Sequence, residues 1–288
     1  MASLKEVKQR INTVEGTRKI TQARQMIASA KLHQYQSVLE GILDYRRALD
    51  DMYLNLAESE ADDIVIPKKK QGKVGIVILS SNSGMCGSFN LNVFKELKSI
   101  EDAYAGEELV FFPIGKKIRE ALTQRGCNIG FEKGVKNWDF LVDKPSSKDI
   151  SEKVSYLLEQ FDSGSLKSVD VVYTHYKSVA KQVVTQINYL PYTPPVVEEK
   201  QSLINSDYII EPSREELRED IQKRILKVAF YSVIIDSQTA ESAARTMAMQ
   251  LATENANELI NELKITYNKL RQQNITNELL DIVGSSFA

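Results

Sequence analysis

The most chemically suggestive stretch inside the chain is Ser80-Ser81-Asn82-Ser83-Gly84-Met85-Cys86-Gly87-Ser88-Phe89-Asn90. It follows an apolar run and precedes an amphipathic one, so it joins a strand to a helix N-terminus, where N–H groups and the helix dipole favour an anion. Phosphate binding is the chemistry this position could serve. The loop has neither the GxGxxG of a dinucleotide site nor the Gly-Lys-Ser/Thr of a P-loop, and a tight strand-to-helix connection accounts for its two glycines equally well. Cys86 as a nucleophile would need an activating base. The chain has two histidines, His33 and His175, and their sequence positions set neither beside it; burial is the default for such a thiol. Cys86 and Cys127 stand in no CxxC or metal spacing, which suits a reducing compartment, and no paired carboxylates stand out as acid and base. No catalytic residue, metal ligand or cofactor site is expected.

A second group of residues suits recognition. In Tyr267-Asn268-Lys269-Leu270-Arg271-Gln272-Gln273-Asn274-Ile275-Thr276 an apolar helical stripe lapses for a full turn at residues 271–274. Either the helix frays there, or the turn leaves its helical partner and enters another protein. In that case Arg271, Gln272 and Thr276 can bond acidic and hydroxyl groups. Beyond it, Ile275, Leu279, Ile282, Val283 and Phe287 form an apolar side that needs a sleeve to bury it. Near the other end, Lys5, Lys8, Arg10, Arg18, Lys19, Arg24 and Lys31 face only Glu6 and Glu15 in count, a run that is either a solvated face or a surface for acidic partners.

These residues need long elements to carry them. Residues 213–283 contain neither Gly nor Pro and would make a helix of roughly 100 Å. Ser213 with Glu216 has capping-box spacing. Its apolar stripe runs Leu217, Ile221, Ile225, Val228; Ala240, Ala244, Met247, Leu251; then Leu259, Leu263, Tyr267, Leu270; and finally Ile275, Leu279, Ile282. Such a stripe requires an equally long partner, and residues 3–56 supply one. Ser3 and Glu6 form another capping box, and Leu4, Val7, Ile11, Val14, Ile20, Ile27, Ala30, Tyr35, Val38, Ile42, Tyr45, Leu49, Met52 and Leu56 keep a helical spacing with small phase slips. Between the helices, strands at 74–79, 109–114, 128–131, 169–175 and 183–189 alternate with helices at 89–104, 116–125 and 150–161, the pattern of an α/β sheet.

The expected fold is α/β plus long α: an antiparallel coiled coil of N- and C-terminal helices with an inserted Rossmann-like α/β domain. The division is 1–57 N-terminal helix, 58–72 linker, 73–195 α/β domain, 196–212 extended return and 213–288 C-terminal helix. With 288 residues, a net charge of -2 and a pI near 5.9, no global electrostatic signal points to nucleic acid. No apolar run reaches membrane-spanning length, and no signal-peptide core is present.

Four ordered blocks carry a family resemblance: residues 17–31 (Thr-Arg-Lys-Ile-Thr-Gln-Ala-Arg-Gln-Met-Ile-Ala-Ser-Ala-Lys), 83–90 (Ser-Gly-Met-Cys-Gly-Ser-Phe-Asn), 241–256 (Glu-Ser-Ala-Ala-Arg-Thr-Met-Ala-Met-Gln-Leu-Ala-Thr-Glu-Asn-Ala), and Tyr267-Asn268 through Arg271-Gln272 to Ile275-Thr276 with Glu278. Over essentially its whole length the chain resembles the gamma subunits of F-type ATP synthases. The resemblance implies a rotor shaft that enters a ring of alternating alpha and beta subunits and stands on a ring of c subunits beside an epsilon subunit. It implies further that the shaft couples proton translocation to ATP synthesis or hydrolysis without a catalytic site of its own, peripheral on the cytoplasmic side of a bacterial inner membrane. By the same resemblance, Arg271, Gln272 and Thr276 meet a beta-subunit loop, the block holding Lys19, Arg24 and Lys31 faces an acidic segment of beta, and Asp207, Tyr208 and Glu211 lie at the foot near the c subunits. Position 24 is Met in many members and Arg here; the dithiol insert of the chloroplast branch is absent, so thiol control is not expected. On residues alone, two alternatives stay open: an α/β nucleotide-binding enzyme with a coiled-coil oligomerisation arm, and a coiled-coil scaffold unrelated to energy coupling.

Overall fold

The computed structural model describes residues 3–56, 71–131, 137–193, 210–211 and 213–286. Two helices account for the ends of the chain: α1 (Leu4–Asn55) and α6 (Arg214–Ser286). Both starts are fixed as the capping residues predict. Ser3 N donates to Glu6 Oε2 at 2.9 Å while Glu6 N donates to Ser3 Oγ at 3.2 Å, and Glu216 N donates to Ser213 Oγ at 3.2 Å.

Between them lie β1 (Lys73–Leu79), α2 (Phe89–Ala103), β2 (Leu109–Ile114), α3 (Lys116–Arg125), α4 (Phe140–Asp143), α5 (Ser147–Asp162), β3 (Leu166–Ser178) and β4 (Lys181–Leu190). The sheet order is β2-β1-β3-β4, with β1 parallel to both neighbours and β4 antiparallel to β3. This is a Rossmann-like sheet. The central strand β1 is buried on both faces, as its run of Val, Ile and Leu dictates. Pro113, with no N–H for a ladder, sits in β2 at the sheet edge. The strand expected at 128–131 reduces to a single bridge from Ile129 to Phe111, because the segment leaves the sheet after one pair. The short α4 was not anticipated from the sequence.

The chain divides into two compact units, Met1–Ala30 with Arg245–Ala288, and Lys31–Ala244. Within the second unit one sheet face packs on α5 and on Leu226, Phe230, Val233 and Ile234 of α6. The other face packs on α2 and α3 through Val93, Leu97, Ile118 and Leu122. Leu49, Tyr53 and Leu56 of α1 meet Ile221 and Ile225 of α6 in the same unit.

The seam on α1 differs from the sequence expectation. The seam that carries its buried residues runs through Val7, Ile11, Val14, Arg18, Thr21, Gln25 and Ala28 in the first unit, and Leu32, Tyr35, Leu39, Ile42, Arg46, Leu49, Tyr53 and Leu56 in the second, with Glu15, Ser29, Gln36, Asp50, Leu54 and Asn55 half-buried beside it. The steps alternate strictly between three and four, as a heptad seam requires. Ile20, Ile27, Val38, Tyr45 and Met52, expected on the seam, are exposed, and so is Leu251 on α6. Each of the five stands one residue before a seam position, about 100° round the helix, so an outer apolar stripe runs beside the inner one.

Candidate partner-binding surfaces

In the first unit two polar contacts mark the register of α1 against α6. Thr21 Oγ1 lies 2.8 Å from Thr253 Oγ1, and Arg18 Nη1 donates to Asn257 Oδ1 at 3.2 Å. Stepping one heptad at a time in opposite directions from Thr21 and Thr253 sets Val14 level with Ile260 and Val7 level with Tyr267. The apolar cluster of Val7, Ile11 and Leu263, with Val14, Leu259, Tyr267 and Leu270 against it, occupies that end. By the same register Leu4, where α1 begins, lies level with Leu270. Past Leu270 the helix α6 continues without α1 beside it.

The polar turn at 271–274 therefore starts where the helix pair stops. Positions that would continue the seam spacing from Leu270 are Asn274 and Asn277, so the sequence gives up the seam at the residue where its partner is lost. Arg271, Gln272 and Thr276 are all exposed, and Thr276 Oγ1 donates to the Gln272 carbonyl at 2.9 Å. Ile275, Leu279 and Ile282, expected to continue the stripe of Leu259 to Leu270, instead form a new one flanked by Leu280 and Val283, every one of them about half exposed or more. At about 3.5 residues per turn this stripe is rotated by roughly 150° from the seam. Phe287 lies outside the described residues.

The basic block divides by side. Lys19, Arg24 and Lys31 are exposed, whereas Arg18 is drawn partly into the seam. Ile20 and Ile27 share the outward face with Arg24, each with 59% of its surface exposed, and Met26 stands beside them. In this stretch the outside is more apolar than the inside, an inversion that marks a surface with something to cover it. Apolar periodicity by itself does not separate the two stripes; the signal that could have done so is the unbroken heptad leading from Val7 through the polar Arg18 and Thr21 to Ala28.

In the second unit the loop after β1 is committed to its own fold. Parallel sheets of this type bind ligands at the carboxyl ends of the strands, where the connections diverge. Here that edge is filled: Cys86 and Phe89 pack on Ala240 and Ala244 of α6, with Tyr176 against them. Cys86 is 2% exposed and receives a hydrogen bond from Asn90 Nδ2 at 3.2 Å. The first turn of α3, a ready anion seat, is occupied as well. Lys116 N donates to Asn82 Oδ1 at 2.9 Å, Lys117 N to the Ser81 carbonyl at 3.2 Å and Ile118 N to Ser80 Oγ at 2.9 Å. Donors that would cradle a phosphate are already spent on the loop itself.

The polar ties of this unit bind the sheet to α6. Asp236, 7% exposed, accepts from Tyr176 N at 2.9 Å and lies 2.6 Å from His175 Nδ1. Burial, with Asp236 nearby, pushes the Tyr173 hydroxyl up to about 12. Gln238 of α6 donates to the Leu141 and Val142 carbonyls and so closes the end of α4, while Asp139 beside it is clamped by Arg119. Among the foot residues, Asp207 and Tyr208 lie outside the described residues. Glu211 is exposed, next to Ile210, which packs against the Leu49, Tyr53 and Ile221 cluster. Among the described residues no group of His, Cys, Asp and Glu side chains could hold a metal ion, and no helix is long and apolar enough to cross a membrane.

A family model described as ATP synthase matches residues 3–288. The ATP synthase gamma chain of Phocaeicola vulgatus is 42% identical over 100% of both chains, and that of Bacteroides thetaiotaomicron is 44% identical over 99% of both. The chain belongs to the ATP synthase gamma family. Solved structures share the fold. A chain in the Euglena gracilis mitochondrial ATP synthase, solved as OSCP, F1 and c-ring in rotational state 3, matches with a TM-score of 0.64 at 21% identity, covering 99% of this chain and 93% of that one. A chain in the rotor of the same enzyme matches with a TM-score of 0.60 at 19% identity, over 94% and 98%.

Proposed function

We infer that this chain is the central rotor shaft of an F-type ATP synthase, transmitting torque between a proton-driven c-ring and a catalytic ring of alpha and beta subunits. The observation that carries this is the far end of α6: ten successive residues, 271–280, are exposed beyond the reach of α1, and they present a polar turn followed by an apolar stripe on a new face. A surface of that kind is built to be enclosed. The inverted stretch around Ile20, Met26 and Ile27 is a second enclosed surface, and Lys19, Arg24 and Lys31 give it the charge to meet an acidic segment of beta.

In this reading Arg271, Gln272 and Thr276 bond a beta-subunit loop, and Asp207, Tyr208 and Glu211 meet the c-ring beside an epsilon subunit. The chain is the non-catalytic member of the complex, with no cofactor of its own, and sits peripherally on the cytoplasmic side of a bacterial inner membrane. Its parts are the helices 1–57 and 213–288, the α/β domain 73–195 that braces them, and the connections 58–72 and 196–212. The face that α6 turns outward changes along its length, so each rotational position offers each beta subunit a different contact. Differential contacts of this kind are what can bias a partner's conformational equilibrium.

The test is Arg271→Ala in the reconstituted complex. ATP-driven proton pumping or assembly with the catalytic ring falls while the α/β domain stays folded by circular dichroism; unchanged pumping and assembly would remove Arg271 from the contact surface. Nucleotide binding by this chain has no observation in its favour, since α6 and the 80–90 loop occupy the ligand edge of the sheet.

A further inference from the structure

We infer that the polar section of the seam, Arg18 to Gln25 on α1 against Met249 to Asn257 on α6, is a soft joint of the first unit, where the two helices part and shear most readily short of their ends. The apolar cluster of this unit reaches only as far as Val14 and Leu259, and the next well-buried seam residue on α1 is Ala28. Between them the α1 seam offers Arg18, Thr21 and Gln25, all half-buried, and on α6 the buried apolar residues Met249 and Ala256 bound the section, leaving Thr21 against Thr253 as its polar centre. Helix pairs are held mainly by dry apolar layers, and hydrogen bonds near water trade almost evenly with solvent.

The hydroxyl geometry makes opening cheap. Thr21 Oγ1 lies 2.9 Å from the Arg18 carbonyl, and Thr253 Oγ1 lies 2.8 Å from the Met249 carbonyl. Two hydroxyl protons serve three contacts, the third being the one between the threonines. In the closed pair one hydroxyl donates across and the other donates to its own helix. When the pair parts, the crossing proton turns to the carbonyl already within reach, and neither hydroxyl is orphaned. Arg18 needs only to lift its guanidinium into water along its own stem. Outside the joint stand Ile20, Met26, Ile27 and Leu251, all exposed, so the section is loose at its centre and adhesive on its flanks. A surrounding partner grips each helix separately there, and the give of the pair under load concentrates at these layers.

Hydrogen exchange on the full-length chain, free and assembled with alpha and beta subunits, tests this. In the free chain, amides of residues 250–257 exchange at least tenfold faster than those of 259–266, and assembly narrows the gap. Thr21→Val with Thr253→Val dries the layer and slows exchange at 250–257 at least threefold, while Thr21→Ser with Thr253→Ser, which keeps both hydroxyls, leaves it unchanged. Equal exchange in the two native segments, or valine variants that exchange at the native rate or faster, would overturn the joint: the hydroxyls would then be holding the helices together. The free-chain comparison does not depend on the shaft reading, whose failure would show instead as a chain that never assembles with the catalytic subunits.

Discussion

Gly115 stands at a φ of 113°, a conformation that L side chains rarely adopt, and a Cβ there would collide with the Ser80 carbonyl. The two strand ends meet this closely because Ser80, Ser81 and Asn82 must reach the first turn of α3. Gly115→Ala is expected to cost roughly 1–3 kcal/mol, read as a lower melting temperature, with the second unit losing stability while helix content from α1 and α6 persists. At the same scale, the burial of Cys86 was legible from its loop. What fills the ligand edge was not, because Ala240 and Ala244 lie some 150 residues further along and nothing local announces the contact. The exposure of Arg271, by contrast, was readable in place: the stripe lapses at the residue where α1 runs out.

Among the elements, α1 shows how periodicity misleads and why. Two stripes one residue apart run along it, and where the inner one turns polar at Arg18, Thr21 and Gln25, apolarity alone selects Ile20 and Ile27 instead. The α6 seam suffers less, since Ile221, Ile225, Ile260 and Leu263 are apolar on the side that is buried. The sheet elements were the most legible, because strands buried on both faces need no phase. Their ties to neighbouring elements predict an alkaline response. Burial, then the Asp170 hydrogen bond, pushes the Tyr104 hydroxyl up to about 12, and Tyr173 is raised to the same range by burial and Asp236. A raised folded value means that their contribution is fully present below the ordinary tyrosine value of 10 and is lost as pH rises from 10 through 12. Urea unfolding followed across that window should weaken steadily, and the combined Tyr104→Phe and Tyr173→Phe variant should flatten the slope.

For the whole molecule, the separation of folding from function is the most testable property. Residues 271–280 are exposed, so ending the chain after Leu270 removes almost no buried surface. The truncated chain should melt within roughly 2 °C of the full one while ATP-driven pumping in the assembled complex is strongly reduced. A large fall in melting temperature would show that the tail supports the fold. The bare stripe of Ile275, Leu279 and Ile282 also bears on how such a chain is made. A helix end that sticky has no shelter until its ring exists, and identical ends on two free copies suit one another. Synthesis of this chain in excess of its partners would therefore feed self-association, so the cell must match its supply to that of the ring or shield the newly made tail until assembly.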